Sequence, residues 1–387
     1  MATNATTLLV SFFFFSFLLV AFFLLSVLFF VAIFFFVVLF FFRAVLDALV
    51  GFLLREDDVV YPIKSCKGTK LESCEYTETG FKYDRHWVVV DATTHKQCTA
   101  REYPQMVLIH PVVNQNAGTL TILIGPLTYV VPLDPSPSSS TRYEDIQIWS
   151  STTDGYHVVV PATSTQPSLD EALSKYLGKE VLLVRKGSQQ RAVGRNTITY
   201  EVDYGSGKGS NGGAHTAFAD GYPFLVTTRE SFQHVWSRVR LDAQEGKIIK
   251  NEKERELWKE GGSEEIVIER FRPNVVVKGA EEWEEDGWIR LEVGEGKDIF
   301  NLVTRCGRCQ LPNVDPATGV PSKTVPYKII SSYRRVDPAD KYSPCFGINT
   351  IPKSSAGVVQ VGDTVKVVAR GQRRDGGGWI RPEDGKE

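Results

Sequence analysis

Residues 8–42 carry no charged side chain, no glycine and no proline, and are almost entirely Phe, Leu, Val, Ala and Ser. As a helix rising ~1.5 Å per residue this stretch is about 52 Å long, against a hydrocarbon core of about 30 Å. A single tilted span over residues 8–42 is therefore expected, inside an N-terminal anchor of residues 1–58. A cleaved leader fits less well, because the apolar run is too long and no basic residue precedes it. A helical hairpin would lack the Gly or Pro that marks a turn. Arg43 and Arg55 follow the span, which places the rest of the chain on the cytosolic side. Apolar residues at helical spacing from Ala44 to Leu54 predict that the helix continues into the membrane interface.

Past Asp58 the pattern changes to short apolar runs broken by Gly, Pro, Asn and Ser, which predicts a mainly β architecture with some α. Strands are expected at Val88–Val90, Met106–His110, Thr119–Ile124, Tyr129–Leu133, Ile146–Trp149, Val181–Val184 and Val275–Val277, with a closing pair between Val358 and Val368. Ser168 with Glu171 three residues on is a capping box, so a helix starts there and ends at Gly178. Arg229 to Gln244 reads as an amphipathic helix, and Lys247 to Glu265 as a solvated charged segment. The loop Gly205 to Gly213 reads as a surface excursion, with a lid or entrance beside a site as the alternative, and the polar tail of residues 371–387 as disordered.

The net charge of −2 gives no electrostatic case for nucleic acid. Six cysteines show no repeated framework, and the chain is too large to need disulfide staples, so a reducing compartment is expected. Cys66 and Cys74 lie eight apart and no histidine pair has ligand spacing, which argues against structural zinc. Cys306 and Cys309 stand apart from these. They sit where an apolar strand (Ile299 to Val303) gives way to the turn-rich segment Asp315-Pro-Ala-Thr-Gly. Neighbouring Arg305 and Arg308 would favour a thiolate, a good ligand for a soft metal. From the residues alone, Cys309 is either such a ligand or a buried structural thiol.

Three basic motifs stand far apart: Lys64-Ser65, Asp84-Arg85 and Arg272-Pro273-Asn274. Singly, each reads as a salt-bridged surface feature. Together with a thiolate loop they have the chemistry to hold a phosphorylated, ring-bearing cofactor. Tyr61-Pro-Ile-Lys-Ser-Cys, Tyr83-Asp-Arg-His-Trp, Thr99-Ala-Arg, Phe271-Arg-Pro-Asn and Cys306-Gly-Arg-Cys…Val314-Asp-Pro-Ala-Thr-Gly resemble, in order, the motifs of the MOSC family, and within it the membrane-anchored amidoxime-reducing branch.

That resemblance implies a MOSC N-terminal β-barrel domain over residues 59–185 and a MOSC β-barrel domain over 186–370. It implies a molybdenum cofactor (Mo-molybdopterin) with Cys309 as the metal's protein ligand. Lys64, Ser65, Arg85, Arg272 and Asn274 fall on positions that hold the pterin and its phosphate. Asp220 matches an acidic residue beside the metal, and a proton relay is its expected role. Cys306 is expected to support the site. Gly221 and Tyr222 depart from the family's small hydroxyl residues, and the loop between Trp149 and Ser168 is longer than usual.

The implied activity is reduction of N-hydroxylated substrates such as amidoximes and hydroxamic acids. No ferredoxin-type cysteine set, flavin fingerprint or haem motif is present, so a b-type cytochrome and its flavin-dependent reductase are the implied electron donors. The rival is a non-catalytic cofactor-binding or sulfur carrier protein. Pyridoxal phosphate is not expected, since the chain has no room for a sulfurase's PLP domain. The resemblance implies the mitochondrial outer membrane; the long Phe-rich anchor would also suit the endoplasmic reticulum.

Overall fold

The computed structural model describes residues 53–135, 140–193, 214–338, 340–373 and 379–380. The expected span over 8–42 and the loop Gly205 to Gly213 lie outside them. Among the described residues no helix is long and apolar enough to cross a membrane.

In chain order the first strands are β1 (Leu53–Val60), β2 (Thr69–Lys70), β3 (Ser73–Thr77), β4 (Gly80–Phe81), β5 (Trp87–Asp91), β6 (His110–Asn114), β7 (Thr119–Ile124), β8 (Leu127–Pro132) and β9 (Arg142–Ile148). They continue with β10 (Ser151–His157), β11 (Val181–Lys186), β12 (Phe224–Thr228), β13 (Val275–Lys278), β14 (Trp288–Val293), β15 (Asp298–Gly307), β16 (Cys345–Pro352), β17 (Ala356–Gln360) and β18 (Thr364–Arg370). The α-helices are α1 (Leu169–Leu177), α2 (Arg229–Glu245), α3 (Glu252–Trp258) and α4 (Tyr327–Ser331). The expected mainly β architecture is what the chain adopts.

Seven strands close a barrel in the order β13-β12-β16-β15-β14-β18-β1, with β1 pairing back to β13 and β2 appended to β1. Closure leaves the ring no unpaired edge. β12 and β13 are the parallel pair, joined through α2 and α3 as a parallel connection requires. Phe224, Val226, Leu291, Val293, Phe300, Leu302 and Ile348 share one buried core, completed by Tyr76 and Phe81 from the β3–β4 hairpin. Phe224 meets Phe81 edge-on with ring centroids 4.8 Å apart and Phe300 at 5.5 Å. Such pairs each add about 0.5–1.5 kcal/mol beyond their burial.

The first half forms two sheets, β5-β11-β10-β9 and β6-β7-β8. They and α1 share a second core that contains Trp87, Val89, Leu120, Ile122, Leu173 and Leu183. On the other face of the four-stranded sheet Val88, Val90, Val184, Ile146 and Ile148 are buried together with Phe218. The unbroken run Trp87-Val-Val-Val is thus a strand covered on both sides. The capping box is present: the Glu171 N–H donates to Ser168 Oγ at 3.3 Å, and Glu171 Oε2 accepts from the Ser168 N–H at 2.9 Å. Gly178 ends the helix with φ 71°, a left-handed cap that favours glycine.

Several expectations need correction. β1 pairs with β13 and β18, so the division of the sequence at residue 58 does not follow the sheets, and Leu53–Leu54 are extended where helix was expected. The strand escapes notice because buried Arg55 pairs with buried Asp58 inside it, which hides the apolar alternation. Residues 104–108 form a 3-10 turn, with β6 starting only at His110; Pro104 opens the turn with a preset φ. β10 occupies part of what reads as a long loop after Trp149. Past Arg370, where no regular structure is expected, the backbone pairs Gln372–Arg373 with Trp379–Ile380.

Candidate functional site

The segment that leaves β1, Tyr61 to Cys66, carries the first two site residues. Lys64 and Ser65 are buried, and Ser65 has φ 68°. Arg85, just before β5, has φ 49°, and Arg272, just before β13, has φ 57°. Left-handed backbone at a non-glycine residue costs on the order of 1–3 kcal/mol and persists only where surroundings over-determine it. Here the surroundings do so: the Arg85 N–H donates to Tyr61 O at 2.8 Å and the Arg272 N–H to Glu269 O at 3.0 Å. Three of the five residues expected to grip a cofactor therefore sit on strained backbone.

Asn274 ties these segments together. Its Nδ2 donates to Val59 O at 3.1 Å, and its Oδ1 accepts from the Leu225 N–H at 3.2 Å and from Arg85 Nη1 at 3.0 Å. Arg85 also pairs with Asp84, and its Nη2 donates to Arg272 O at 3.3 Å. The guanidinium carbons of Arg85 and Arg272 lie 4.4 and 4.1 Å from the Tyr61 ring centroid. That is cation–π range, and it helps two like charges share one wall.

One cavity of about 350 Å³ is lined by Lys64, Ser65, Arg85, Asp220, Arg272, Asn274 and Cys309 together. The structure thus brings all seven site residues read from the sequence to one place, from segments up to 245 positions apart (Lys64 to Cys309).

Its charges are unevenly matched. Lys64 pairs with Asp220 and donates to Phe218 O at 2.8 Å. Burial pulls the Lys64 ammonium below its ordinary pKa, against the opposing pull of Asp220. The cavity walls alone would raise Asp220; Lys64 and the Trp149 N–H outweigh them and hold its carboxyl below the usual range. Burial lowers Arg272 to about 10, so it stays charged at neutral pH. Among the described residues neither Arg272 nor Arg308 makes an ion pair with a carboxylate. Arg272 Nη2 and Arg308 Nε are buried without a partner. Such atoms are costly unless a bound polar group satisfies them.

The two cysteines differ. β15 slips register against β16 between Leu302 and Thr304 and again between Arg305 and Gly307. Bulges of this kind re-aim a strand end. Cys306 is the second-to-last residue of that strand and Cys309 lies in the loop after it. Arg308 Nη1 donates to Cys306 Sγ at 3.0 Å and its Nη2 to Phe271 O at 2.7 Å. Arg305 is committed to Asp286, with Nε 3.4 Å from Oδ1. Among the described residues neither arginine hydrogen-bonds the Cys309 sulfur; Cys309 Sγ accepts the Leu311 N–H at 3.5 Å. The turn that follows is a scaffold. Asp315 Oδ1 accepts the N–H groups of Ala317 and Thr318 at 2.7 and 2.9 Å, and buried Arg270 pairs with Asp315 and reaches Asn313 O at 3.3 Å.

Sequence reasoning missed three members. Trp149 Nε1 donates to Asp220 Oδ1 at 2.8 Å. The Arg101 guanidinium carbon lies 4.2 Å from the Trp149 ring centroid, and both residues line the cavity; Arg101 was visible in the Thr99-Ala-Arg motif but had no role. Buried Arg191 donates to the carbonyls of Ala217, Ala219 and Asp220 at 3.1, 2.7 and 3.0 Å, fixing the Asp220 loop. Nothing in a lone Trp or Arg flags these roles. Gly221 and Tyr222 also line the cavity.

Among the described residues no three of His, Cys, Asp and Glu gather as a metal site. A metal here would take one thiolate from the protein and its remaining ligands from a bound group. Cys309, the cavity thiol that no arginine holds, together with the unpaired cations and the orphaned guanidinium nitrogens, fits a soft metal carried on an anionic, hydrogen-bonding cofactor.

Residues 57–180 match the MOSC N-terminal beta barrel domain and residues 214–366 match the MOSC domain. Mitochondrial amidoxime-reducing component 1 of Danio rerio is 28% identical over 317 residues, covering 79% of this chain and 82% of that protein. Mitochondrial amidoxime reducing component 2 of Homo sapiens is 28% identical over 315 residues, covering 79% and 81%. Molybdenum cofactor sulfurase of Solanum lycopersicum is 28% identical over 279 residues, covering 71% of this chain but 31% of that protein.

Proposed function

Since the chain belongs to the MOSC-domain family, we propose that it is a molybdenum cofactor-dependent oxidoreductase that reduces N-hydroxylated substrates. The observation that carries this reading is the convergence of Lys64, Ser65, Arg85, Asp220, Arg272, Asn274 and Cys309 on one cavity. The relatives named as amidoxime-reducing components, matched over most of their length, support the reductase form. In this reading Cys309 supplies the metal's thiolate. Arg272 and Arg308, which have no carboxylate partner among the described residues, meet the anionic part of the cofactor, and Ser65 and Asn274 hydrogen-bond its ring system.

When bound, the cofactor supplies two-electron redox chemistry that no side chain can. Each turnover breaks an N–O bond, takes up two electrons and two protons, and releases the amidine or amide product and water. In this reading the Lys64–Asp220 pair supplies a proton. Asp220, held ionised, orients Lys64, whose Nζ has three protons and two protein partners, so one proton remains free to face a ligand. The relay expected of Asp220 alone is better assigned to this pair. Electrons would come from a b-type cytochrome and its flavin-dependent reductase. An anchor over residues 8–42 would hold the site on the cytosolic face of a membrane, the mitochondrial outer membrane in this reading.

The test is to purify the full chain and its Cys309→Ala variant, measure molybdenum by elemental analysis, and assay benzamidoxime reduction with a chemically reduced donor. Metal and activity in the native chain, with metal lost in the variant, are expected. Metal without reduction would favour the cofactor or sulfur carrier. Equal metal in both proteins would remove Cys309 as the ligand.

A further inference from the structure

Behind the wall formed by Tyr61 and Arg272 lies a second cavity of about 390 Å³, within the range of small-molecule sites. Val107, Val267, Val314 and Ala317 give it apolar sides, and Arg272 and Leu311 belong to both cavities. Its charges leave an excess of cation. Lys70 pairs with Asp57 at 3.0 Å and Glu269 at 3.5 Å, and Arg270 pairs with Asp315. Lys67, at its rim, has no carboxylate partner among the described residues. Two further polar atoms of its lining residues are buried and unpartnered: the hydroxyl of Tyr61, a residue 1% exposed, and Nε of Arg270, 3% exposed. Apolar sides, an unmatched ammonium and unsatisfied donors call for an anion with an apolar body.

We propose that this second cavity binds a small organic carboxylate with an aryl or branched-alkyl body. The carboxylate meets Lys67, and the apolar body lies against Val107, Val267 and Ala317. Because Leu311 carries the N–H that reaches Cys309 Sγ, the occupant would be felt at the ligand loop. The proposal stands apart from the cofactor reading, since none of the residues that carry it is assigned to that grip.

The test is isothermal titration calorimetry of the full chain with 4-phenylbutyrate and with its neutral amide. Saturable binding of the acid is expected, with at least tenfold weaker binding of the amide. Lys67→Glu should weaken the acid at least tenfold, and Ala317→Trp, which fills an exposed wall, should abolish binding. Both substitutions lie on exposed positions, and unchanged far-ultraviolet circular dichroism would show that each variant folds. Unaltered affinity in both variants, or equal affinity for acid and amide, overturns the proposal. Loss of binding in Trp149→Ala would place the ligand in the first cavity and overturns it as well.

Discussion

The indole N–H of Trp149 donates to the carboxylate of Asp220 at 2.8 Å, joining a turn of the first half of the chain to the loop that precedes the barrel strand β12. Trp149 has φ 54° and remains 47% exposed, so neither backbone preference nor burial explains it. What it does is hold Asp220 from one side while Lys64 holds it from the other, and offer a flat wall that Arg101 already stacks upon. Trp149→Phe keeps the wall and removes the donor. A partly exposed hydrogen bond to a charged group contributes about 1 kcal/mol, so turnover should fall about fivefold with KM little changed. Trp149→Ala should also raise KM, because the stacking surface is gone. Steady-state kinetics on benzamidoxime separates the two; identical kinetics in both variants would deny Trp149 either role.

Cys306 and Cys309 should behave differently on substitution. Arg308 bridges Cys306 to Phe271 O, so Cys306→Ala loses one charge-assisted contact while Arg308 keeps its carbonyl. A loss of about 1 kcal/mol of stability is expected, with molybdenum content at least half that of the native chain. Cys309→Ala removes the only cavity sulfur not held by an arginine, and molybdenum should fall at least tenfold. Elemental analysis of both variants checks this, and a reversed order would exchange their roles.

Asn274→Ala removes three hydrogen bonds at once, to Val59 O, the Leu225 N–H and Arg85 Nη1. Because Asn274 is buried, the stranded groups carry their desolvation penalty, and about 2–4 kcal/mol of stability should be lost. Urea unfolding monitored by fluorescence measures it. Asn274→Asp should be at least as harmful: it turns the donor that serves Val59 O into an acceptor.

The seven site residues were legible because motif order carries them, and the cavity only shows that they meet. Helix α1 was legible because Ser168, Glu171 and Gly178 are local signals. β1 was not, since its pairing with β13 is a long-range event and its buried Arg55–Asp58 pair imitates a surface segment. Trp149 and Arg191 were illegible for a related reason. Each acts across a distance the sequence does not encode, on a carbonyl or a carboxylate that only the fold brings within reach. Arg308 was visible, but its choice of Cys306 over Cys309 depends on the two register slips in β15.

Glu285 gives a pH test that is independent of the site. It is fully buried in the 3-10 turn Glu284–Gly287, and accepts from Ser231 Oγ at 2.8 Å and Thr228 Oγ1 at 3.1 Å at the start of α2. Those bonds and the helix N-terminus favour the carboxylate, but burial, and then Asp286, prevail and raise its pKa from 4.5 to about 7. Below pH 4.5 the group is protonated in both states and the native fold is not penalised. Between pH 4.5 and 7 the folded chain holds a proton that the unfolded chain releases, so stability declines as pH rises. The decline is about 3 kcal/mol and is complete above pH 7. Glu285→Gln keeps an acceptor and removes the titration. The variant should match the native chain near pH 4.5 and exceed it by up to about 3 kcal/mol at pH 8, with denaturant unfolding at several pH values as the measure. Other titrating groups cancel in the difference between the two proteins. A difference that does not grow with pH would mean that Glu285 is held ionised by Ser231 and Thr228.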